Sequence, residues 1–491
     1  MDTKKLRQKV LDLAIHGKLV KQDSNDEPAS ILLDRIRAEK ARLVKEGKIK
    51  KSELKYSTIS AEEILFDLPK GWSWVRLGEL GEYRKGPFGS SLTKSMFVPK
   101  STTSYKVYEQ KNAIKKDAII GDYYISEEKF REMQGFVVKP NDIIVSCAGT
   151  IGETFVIPQV APVGIINQAL MRVRLYDVDI TPFWLLYFEY TTTFTSDLDG
   201  SGTAIKNIPP FEILKNLVFP LPPLAEQHRI VKAVDELFEQ IDIIERSEKE
   251  LEEAANKTRD KLLNLAIQGH LVPQDPNEEP ASVLLERIRA EKARLVKEGK
   301  LKKKDLEEKP ISPDEIPFDI PEGWVWVRIG HVYQTSSGGT PEKVHPEYYN
   351  GNIFWAKVGD LTNKYINSTE DKITEEGINN SSAKVFPKDT ILVAMYCNDA
   401  IGKSSILSVP MATNQAICGL FPNSFLFTDY IYYAIQRNKS ILQASAAGGA
   451  QQNINQKIVN ELIIPLPPLS EQRRIVTKLE ELLQEIDKLK A

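Results

Sequence analysis

Hydrophobic residues follow a heptad rhythm through the middle of the chain. From Ile230 they recur at intervals of three, four or seven residues, and the rhythm continues to Leu265, shortly before Gly269. This spacing places an apolar stripe along an α-helix of the kind that packs into coiled coils. The pattern therefore predicts a helix over about 225–268, roughly 66 Å long at ~1.5 Å per residue. The same rhythm returns at the C-terminus, from Ile475 to Leu489.

On both sides of this helix the pattern changes to short strands and turns. The runs 142–145 and 390–393 are rich in Ile, Leu and Val and lie near Gly-rich turns, which favours buried strands. Stretches near Phe183–Tyr190 and Tyr430–Gln436 are rich in aromatic and apolar residues and are expected to be core helices. The expected fold class is mixed α/β, with two globular domains separated by two long antiparallel coiled-coil helices.

The chain contains an internal repeat. Residues 11–51 recur at 263–303, with 32 of the 41 positions identical. A second segment, Leu-Pro-Pro-Leu-x-Glu-Gln, occurs at 221–227 and again at 466–472. The blocks between these segments agree only at a few landmarks. A repeated frame around differing inserts is how one scaffold would carry two related modules with different specificities.

The two chain ends complement each other. With an offset of 252 residues the N-terminus matches the second half of the central helix, and with an offset of 245 residues the C-terminal helix matches its first half. Together the ends rebuild one copy of that helix except for positions 247–252. We therefore expect a pseudo-two-fold circular arrangement, in which two modules alternate with two helical connections. The alternative, an unrelated pair of tandem domains, does not explain the complementary ends.

The repeat and the helix pattern together define seven segments. We name the two repeated helical segments the extensions and the two globular segments module 1 and module 2. In chain order the segments are the start of the distal helical frame (1–16), extension 1 (17–70), module 1 (71–221), the central long helix (222–268), extension 2 (269–322), module 2 (323–466) and the C-terminal long helix (467–491).

Composition and charge narrow the class of protein. Hydrophobic residues at 42% and charged residues at 27% are ordinary for a globular protein, and no apolar stretch is long enough for a membrane helix. The net charge of −3 conceals an acidic stretch at 235–253 and a basic one at 40–55. DNA binding would therefore need basic groups gathered on particular surfaces. The N-terminus lacks a secretory signal and the three cysteines form no CxxC pair, so we expect a cytoplasmic location and no membrane contact.

Motifs for catalysis and cofactor binding are incomplete. Residues 397–404 end in Gly-Lys-Ser like a phosphate-binding loop, but Cys397 stands where that loop needs glycine, and a strand is expected to follow. Residues 207–211 resemble the Asn-Pro-Pro-Phe signature of amino-methyltransferases, but Ile208 interrupts it and no Gly-rich AdoMet loop accompanies it. The five histidines lack metal-site spacing. We therefore expect no catalytic, cofactor-binding or metal site in this chain.

Several segments together resemble the specificity (S) subunit of type I restriction-modification enzymes, over essentially the whole chain. The strongest are the two Leu-Pro-Pro-Leu-x-Glu-Gln segments, each of which ends a module and starts a long helix. These similar segments, taken together with the internal duplication, form a pattern that is specific to this family. The further similar segments are Gly71-Trp72, Gly323-Trp324, 85–92, 338–341, 353–360, 200–208 and 448–454.

This resemblance implies a sequence-specific DNA-binding subunit without catalytic activity of its own, in a bacterial, nucleoid-associated complex. Each module would be a target recognition domain that reads one half of a bipartite site in double-stranded DNA. The implied partners are two modification subunits, which carry AdoMet and methylate adenine, and restriction subunits, which use ATP and Mg²⁺. The extensions are expected to contact the modification subunits. Successive turns of B-DNA present the same groove ~34 Å apart, a spacing that two packed helices could hold.

Candidates for DNA contact are basic or polar residues in Gly-flanked loops of the modules. Lys and Arg can bond to phosphate or guanine, and Asn and Gln can pair with adenine. The Asn-Gln-Ala segments at 167–169 and 414–416 are instead expected to be buried structural polar groups. The candidates are Arg84, Lys85, Ser90, Ser91, Thr93, Lys94, Lys206 and Asn207 in module 1, and Thr340, Lys343, Lys357, Lys403, Gln451, Gln452 and Asn453 in module 2.

Two other functions remain as alternatives at this point. A self-sufficient DNA methyltransferase with duplicated readers would bind AdoMet as an isolated chain, although the incomplete motifs count against it. A coiled-coil scaffold protein would bind DNA with no sequence preference beyond the salt-sensitive attraction to phosphate.

Overall fold

The chain folds as two compact units of the same design. The computed structural model describes residues 1–55, 57–194, 211–446 and 453–489. The first unit is Met1–Ser247 and the second is Glu248–Ala491. The boundary falls inside the central long helix.

The first unit contains extension 1 and module 1. Its helices are α1 (Thr3–Ile15), α2 (Ala29–Lys45), α3 (Leu77–Leu80), α4 (Gln110–Lys115), α5 (Glu127–Glu132), α6 (Thr181–Phe194), α7 (Phe211–Asn216) and the beginning of α8 (Leu224–Ile267). Its strands are β1 (Ser73–Arg76), β2 (Gly81–Lys85), β3 (Tyr105–Tyr108), β4 (Tyr124–Ile125), β5 (Val137–Val138), β6 (Ile143–Ser146), β7 (Thr154–Val156), β8 (Gly164–Ile166), β9 (Leu170–Leu175) and β10 (Val218–Leu221).

The second unit contains extension 2 and module 2. Its helices, after the end of α8, are α9 (Ala281–Lys297), α10 (Ile329–Val332), α11 (Glu375–Asn379), α12 (Thr428–Arg437), α13 (Lys439–Ala446), α14 (Gln456–Glu461) and α15 (Leu469–Lys488). Its strands are β11 (Val325–Arg328), β12 (Thr335–Ser337), β13 (Tyr349–Ala356), β14 (Tyr365–Ile366), β15 (Lys372–Ile373), β16 (Val385–Phe386), β17 (Ile391–Ala394), β18 (Ser404–Leu407), β19 (Met411–Thr413), β20 (Ile417–Leu420) and β21 (Ile463–Leu466).

Both modules are built on the same pair of sheets. Module 1 has the strand orders β2-β9-β6-β7 and β4-β3-β8-β5, and module 2 has β12-β20-β17-β18-β14 and β15-β13-β19-β16. In each second sheet the central pair, β3 with β8 or β13 with β19, is parallel. The predicted mixed α/β class is confirmed, and the predicted strand runs and core helices correspond to β6, β17, α6 and α12.

Each module is closed where the chain enters and leaves it. Strand β1 pairs antiparallel with β10, with Trp74 opposite Pro220, and β11 pairs with β21 in the same way. Proline is tolerated in these strands because a two-stranded ladder leaves one edge without ladder hydrogen bonds. The two repeated Leu-Pro-Pro-Leu segments therefore begin in these ladders and lead directly into α8 and α15.

The predicted central helix is present as α8, which spans 44 residues. Beyond its end, Gly269 has a φ of +77°, a conformation that glycine adopts without strain. Ile230, Val234 and Ile241 are buried, but the heptad residue Leu237 is 40% exposed. Phe238 packs against the core instead. The seam is therefore less regular than the heptad pattern predicts.

In the first unit, α1 runs antiparallel to the start of α8. Arg7 in the middle of α1 bonds to Asp242, whereas Gln22, beyond its end, bonds to Glu226 in the first turn of α8. The residue numbers of the two elements therefore run in opposite directions.

In the second unit, α15 is antiparallel to the end of α8. Asp487 near the end of α15 bonds to Arg259, whereas Glu471 in its first turn bonds to Gln274, beyond the end of α8. The predicted antiparallel pairing is thus observed within each unit, and the circular arrangement stays a prediction.

The extensions are part of the core of their units. Among the described residues of the extensions, the long helices are α2 and α9, and the rest is irregular chain, turns and short 3₁₀ segments. Leu32 and Ile36 of α2 belong to the same buried cluster as Trp72 and Val75 of module 1. Lys40 is also fully buried, where its ammonium donates to the carbonyl of Gly78 at 2.9 Å and burial lowers its pKa to about 8.

We predict that Ile36→Ala destabilises the first unit by about 2–5 kcal/mol, because removing a buried isoleucine leaves a cavity. Ile36 is 1% exposed. The matched control is Ile31→Ala in the same helix, where the side chain is 46% exposed and the change is expected to stay within about 0.5 kcal/mol. Urea-induced unfolding followed by tryptophan fluorescence measures both variants. Equal effects would show that extension 1 does not share the core of its unit.

Candidate nucleic-acid interface

The first candidates lie at the end of strand β2. The strand alternates, so that Tyr83 is buried and Arg84 is exposed. The Arg84 guanidinium lies 5.0 Å from the centre of the Phe136 ring, and Arg84 is opposite Arg172 of β9. Lys85, the last residue of the strand, is exposed. Two cationic side chains are therefore presented where the strand runs into the next loop.

Two arginines of the adjacent strand β9 are already paired with carboxylates. Arg172 bonds to Glu82 at 2.8 Å, and Arg174 bonds to Asp142 at 2.6 Å. These pairs hold β2, β9 and the start of β6 in register, and their charge is already matched within the module. The exposed Arg84 and Lys85 therefore remain candidates for contact with phosphate.

The loop after β2 is fixed at both ends. The Gly86 N–H donates to the carbonyl of Leu170 at 2.9 Å, and a Cβ at Gly86 would stand 1.7 Å from the carbonyl oxygen of Asn167, so only glycine fits there. Leu92 anchors the far end in a buried cluster. Between these anchors lie the exposed candidates Ser90 and Ser91, with Thr93 and Lys94 directly after Leu92.

The turn against which this loop packs corrects an expectation. Asn167 is structural, because its Oδ1 accepts the Ala169 N–H at 3.0 Å. Gln168, however, is exposed rather than buried. Module 2 has the same turn, in which Asn414 accepts from Ala416 and Gln415 is exposed. Gln168 and Gln415 are candidates that the sequence reasoning missed, although their recurrence at one place in both modules was the available signal.

Module 2 assembles its candidates around this turn. A Cβ at Gly338 would stand 2.4 Å from the carbonyl oxygen of Asn414, which matches Gly86 in module 1. Two residues later, the Thr340 hydroxyl donates to Gln415. Lys343, further along the same loop, is exposed.

Two further segments reach the same turn by backbone hydrogen bonds. The Asn414 N–H donates to Ala356, the residue before Lys357, at 3.0 Å. Met395 bonds to Ala416 at 2.8 Å and to Ile454, the residue after Asn453, at 2.9 Å. Backbone hydrogen bonds therefore connect the segment before Lys357 directly to this turn, and the segment after Asn453 to it through Met395.

The candidates of module 2 differ in their exposure and in whether their charges are already paired. Lys357 is paired with Asp371 at 2.5 Å and lies 5.3 Å over the Trp355 ring, which reduces its attraction for phosphate. Lys403 is partly buried and directly precedes β18, so a strand follows the Gly-Lys-Ser segment as expected. Asn453 is exposed. The remaining candidates, Lys206, Asn207, Gln451 and Gln452, lie outside the described residues.

The described part of the chain contains neither a metal-binding cluster nor a membrane-spanning helix. There, no group of three or more His, Cys, Asp or Glu side chains is placed to hold a metal ion. Over the same residues, no helix combines the length and apolarity needed to cross a bilayer.

The family is shown by comparison with known proteins. The profile of the type I restriction modification DNA specificity domain matches residues 69–253 and again 321–491. Over 99% of this chain and 90% of the relative, the sequence is 31% identical to the type I restriction enzyme EcoAI specificity subunit of Escherichia coli. Over the same shares it is 30% identical to the EcoEI specificity subunit of Escherichia coli. The chain belongs to the family of type I restriction-modification DNA specificity subunits, and the resemblance read from its sequence is confirmed.

A solved structure supports the same fold. It concerns complex assembly and conformational transition of the type I R-M system, and one of its chains matches with a TM-score of 0.56 at 21% identity. The match covers 87% of this chain and 93% of that chain.

We predict that the three cysteines react in a set order with iodoacetamide. Cys397 is exposed. Burial raises the pKa of Cys147 to about 11 and that of the buried Cys418 to about 12. A thiol with a pKa of 11 is only about 0.1% thiolate at pH 8, and thiolate is the reactive form.

Mass spectrometry of tryptic peptides follows the reaction. Cys397 should be alkylated first, and the rate at Cys147 should rise about tenfold per pH unit from pH 8 to pH 10, because its thiolate fraction rises with pH below the pKa. Cys418 should react only in unfolded protein. Equal rates at Cys147 and Cys397 at pH 8 would contradict this order.

Proposed function

We propose that this chain reads a bipartite site in double-stranded DNA, with each module reading one half. The observation that carries the proposal is that the two specificity-domain matches fall on two modules with the same sheets but different exposed residues. At the end of the strand whose following glycine packs against the shared turn, module 1 has the exposed Lys85 and module 2 has the half-buried Ser337. A shared scaffold with differing contact residues supports two readers of different half-sites.

The helices set the unread spacer between the half-sites. Helix α8 continues without a break across the boundary between the units. A continuous helix is stiff, whereas a flexible linker would allow many spacer lengths. The circular arrangement and the segment boundaries predicted from the repeat belong to this proposal.

The chain supplies recognition, and its partners supply the chemistry. In the proposed bacterial, nucleoid-associated complex, two modification subunits bring AdoMet and methylate adenine. Restriction subunits bring the ATP- and Mg²⁺-dependent activity. The specificity subunit itself positions these partners on DNA.

The extensions dock the two modification subunits. The sequence of 35–48 recurs unchanged at 287–300, although many of these side chains are exposed and are not needed for packing. Ala38 and Ala290, for example, are exposed on α2 and α9. The two surfaces are identical although the modules differ, which supports the binding of one copy of the same partner to each surface.

The first test of DNA reading is a genome-wide adenine-methylation map of the host strain, with the gene intact and disrupted. We expect disruption to remove one split motif that is methylated on both strands, because each half-site directs one modification subunit. The same map gives both half-sites and their spacing. An unchanged map, with all three subunits expressed, would contradict the proposal.

The docking proposal predicts the behaviour of Ala38→Arg and Ala290→Arg. Arginine is a good helix former, so the helices should persist while the larger side chain blocks a docked partner. Native mass spectrometry should find one modification subunit bound to either single variant and none to the double variant. The control is Val160→Arg, at a residue of module 1 that is 93% exposed and should leave two subunits bound. Two subunits on the double variant would rule out docking at these faces.

A further inference from the structure

Phe88 is held in solvent at the tip of the loop after β2. Its side chain is 86% exposed, the largest exposure of any aromatic residue in the described part of the chain. A single exposed apolar residue is common on protein surfaces and by itself indicates nothing. Phe88 differs from other exposed apolar residues because the loop that carries it is fixed on both sides.

The loop has little freedom to fold Phe88 back onto the protein. Gly86 packs against the Asn167 carbonyl, and the neighbouring Pro87 is buried. On the other side, the Ser91 N–H donates to the Phe88 carbonyl at 2.8 Å, and Leu92 is 3% exposed. Because the loop is already ordered, a contact made by the Phe88 ring costs little further conformational entropy.

The corresponding residue of module 2 has the opposite character. Gly86 and Gly338 approach the same turn in their two modules, so the residues two positions later, Phe88 and Thr340, correspond. The Thr340 hydroxyl donates to the exposed Gln415. Phe88 cannot make such a bond to Gln168. One place in the shared fold is therefore apolar in module 1 and polar in module 2.

We propose that Phe88 contacts the C5 methyl group of a thymine in the half-site read by module 1, and so determines specificity at that base pair. This inference rests on the proposed function. The thymine methyl is the apolar group that base edges present in the major groove, and phenylalanine is among the side chains that contact it. The exposed cations Arg84, Lys85 and Lys94 flank Phe88 in the chain and can hold the DNA backbone beside it.

The test uses the complex of this chain with its modification subunits and the duplex identified by the methylation map. Each thymine of the half-site read by module 1 is replaced in turn by uracil, which lacks only the methyl group. Dissociation constants are measured for the wild type and for Phe88→Ala. We expect one uracil substitution to weaken wild-type binding by about tenfold, the usual scale for one altered base pair.

Phe88→Ala should weaken binding to the thymine duplex by a similar factor and abolish the difference between thymine and uracil at that position. The dependence of binding on salt should not change, because the variant removes no charge. The inference is overturned if Phe88→Ala binds DNA as tightly as the wild type does, or if the variant still distinguishes thymine from uracil. It is also overturned if the half-site read by module 1 contains no thymine.

Val160→Ala is the matched control. Val160 is 93% exposed, follows β7 and belongs to none of the candidate segments of module 1, so this variant should keep wild-type affinity and base preference. A wild-type complex without any sequence preference overturns the proposed function and this inference together. A wild-type complex that reads a split site, combined with an unaffected Phe88→Ala, overturns this inference alone.

Discussion

A buried carboxylate at the start of each long helix is the contact on which the rest of each unit depends. Glu226 accepts the indole N–H of Trp72 at 3.0 Å and the amide of Gln22 at 3.2 Å, and burial raises its pKa. One side chain thereby joins the helix, the module and the extension. Loss of any partner would leave a buried polar group unsatisfied, at a cost of about 1–3 kcal/mol. The second unit repeats this junction with Glu471, Trp324 and Gln274.

This junction explains why the frame repeats while the inserts differ. The frame residues are held by several partners at once, so a change at one of them disturbs the helix, the ladder and the extension together. The loops at the ends of the sheets are constrained only by their anchoring glycines and by the buried residues at their ends. Specificity can therefore vary in the loops while the scaffold persists.

The candidate site shows where sequence reasoning stops. The Asn-Gln-Ala segments lie between two apolar strands, which favours burial of all three residues, but the turn leaves Asn167 half-buried and Gln168 exposed. The ion pair between Lys357 and Asp371 could not be predicted from the sequence either. Its two residues follow β13 and precede β15, and they meet only because those strands are neighbours in one sheet. A candidate's chemistry could be read from its type, whereas its exposure and its partners could not.

The sequence by itself determined the duplication, the long helix, the mixed α/β class and the family, because these depend on local periodicity and on identity between two segments of one chain. Only the tertiary structure decided that α2 packs one face into the core of its unit, and that Thr340, Ala356 and Met395, which are distant in the chain, all bond to one turn. The physical reason is that sheet order brings non-consecutive strands together, and hydrogen bonds between their ends are invisible to any pattern along the chain.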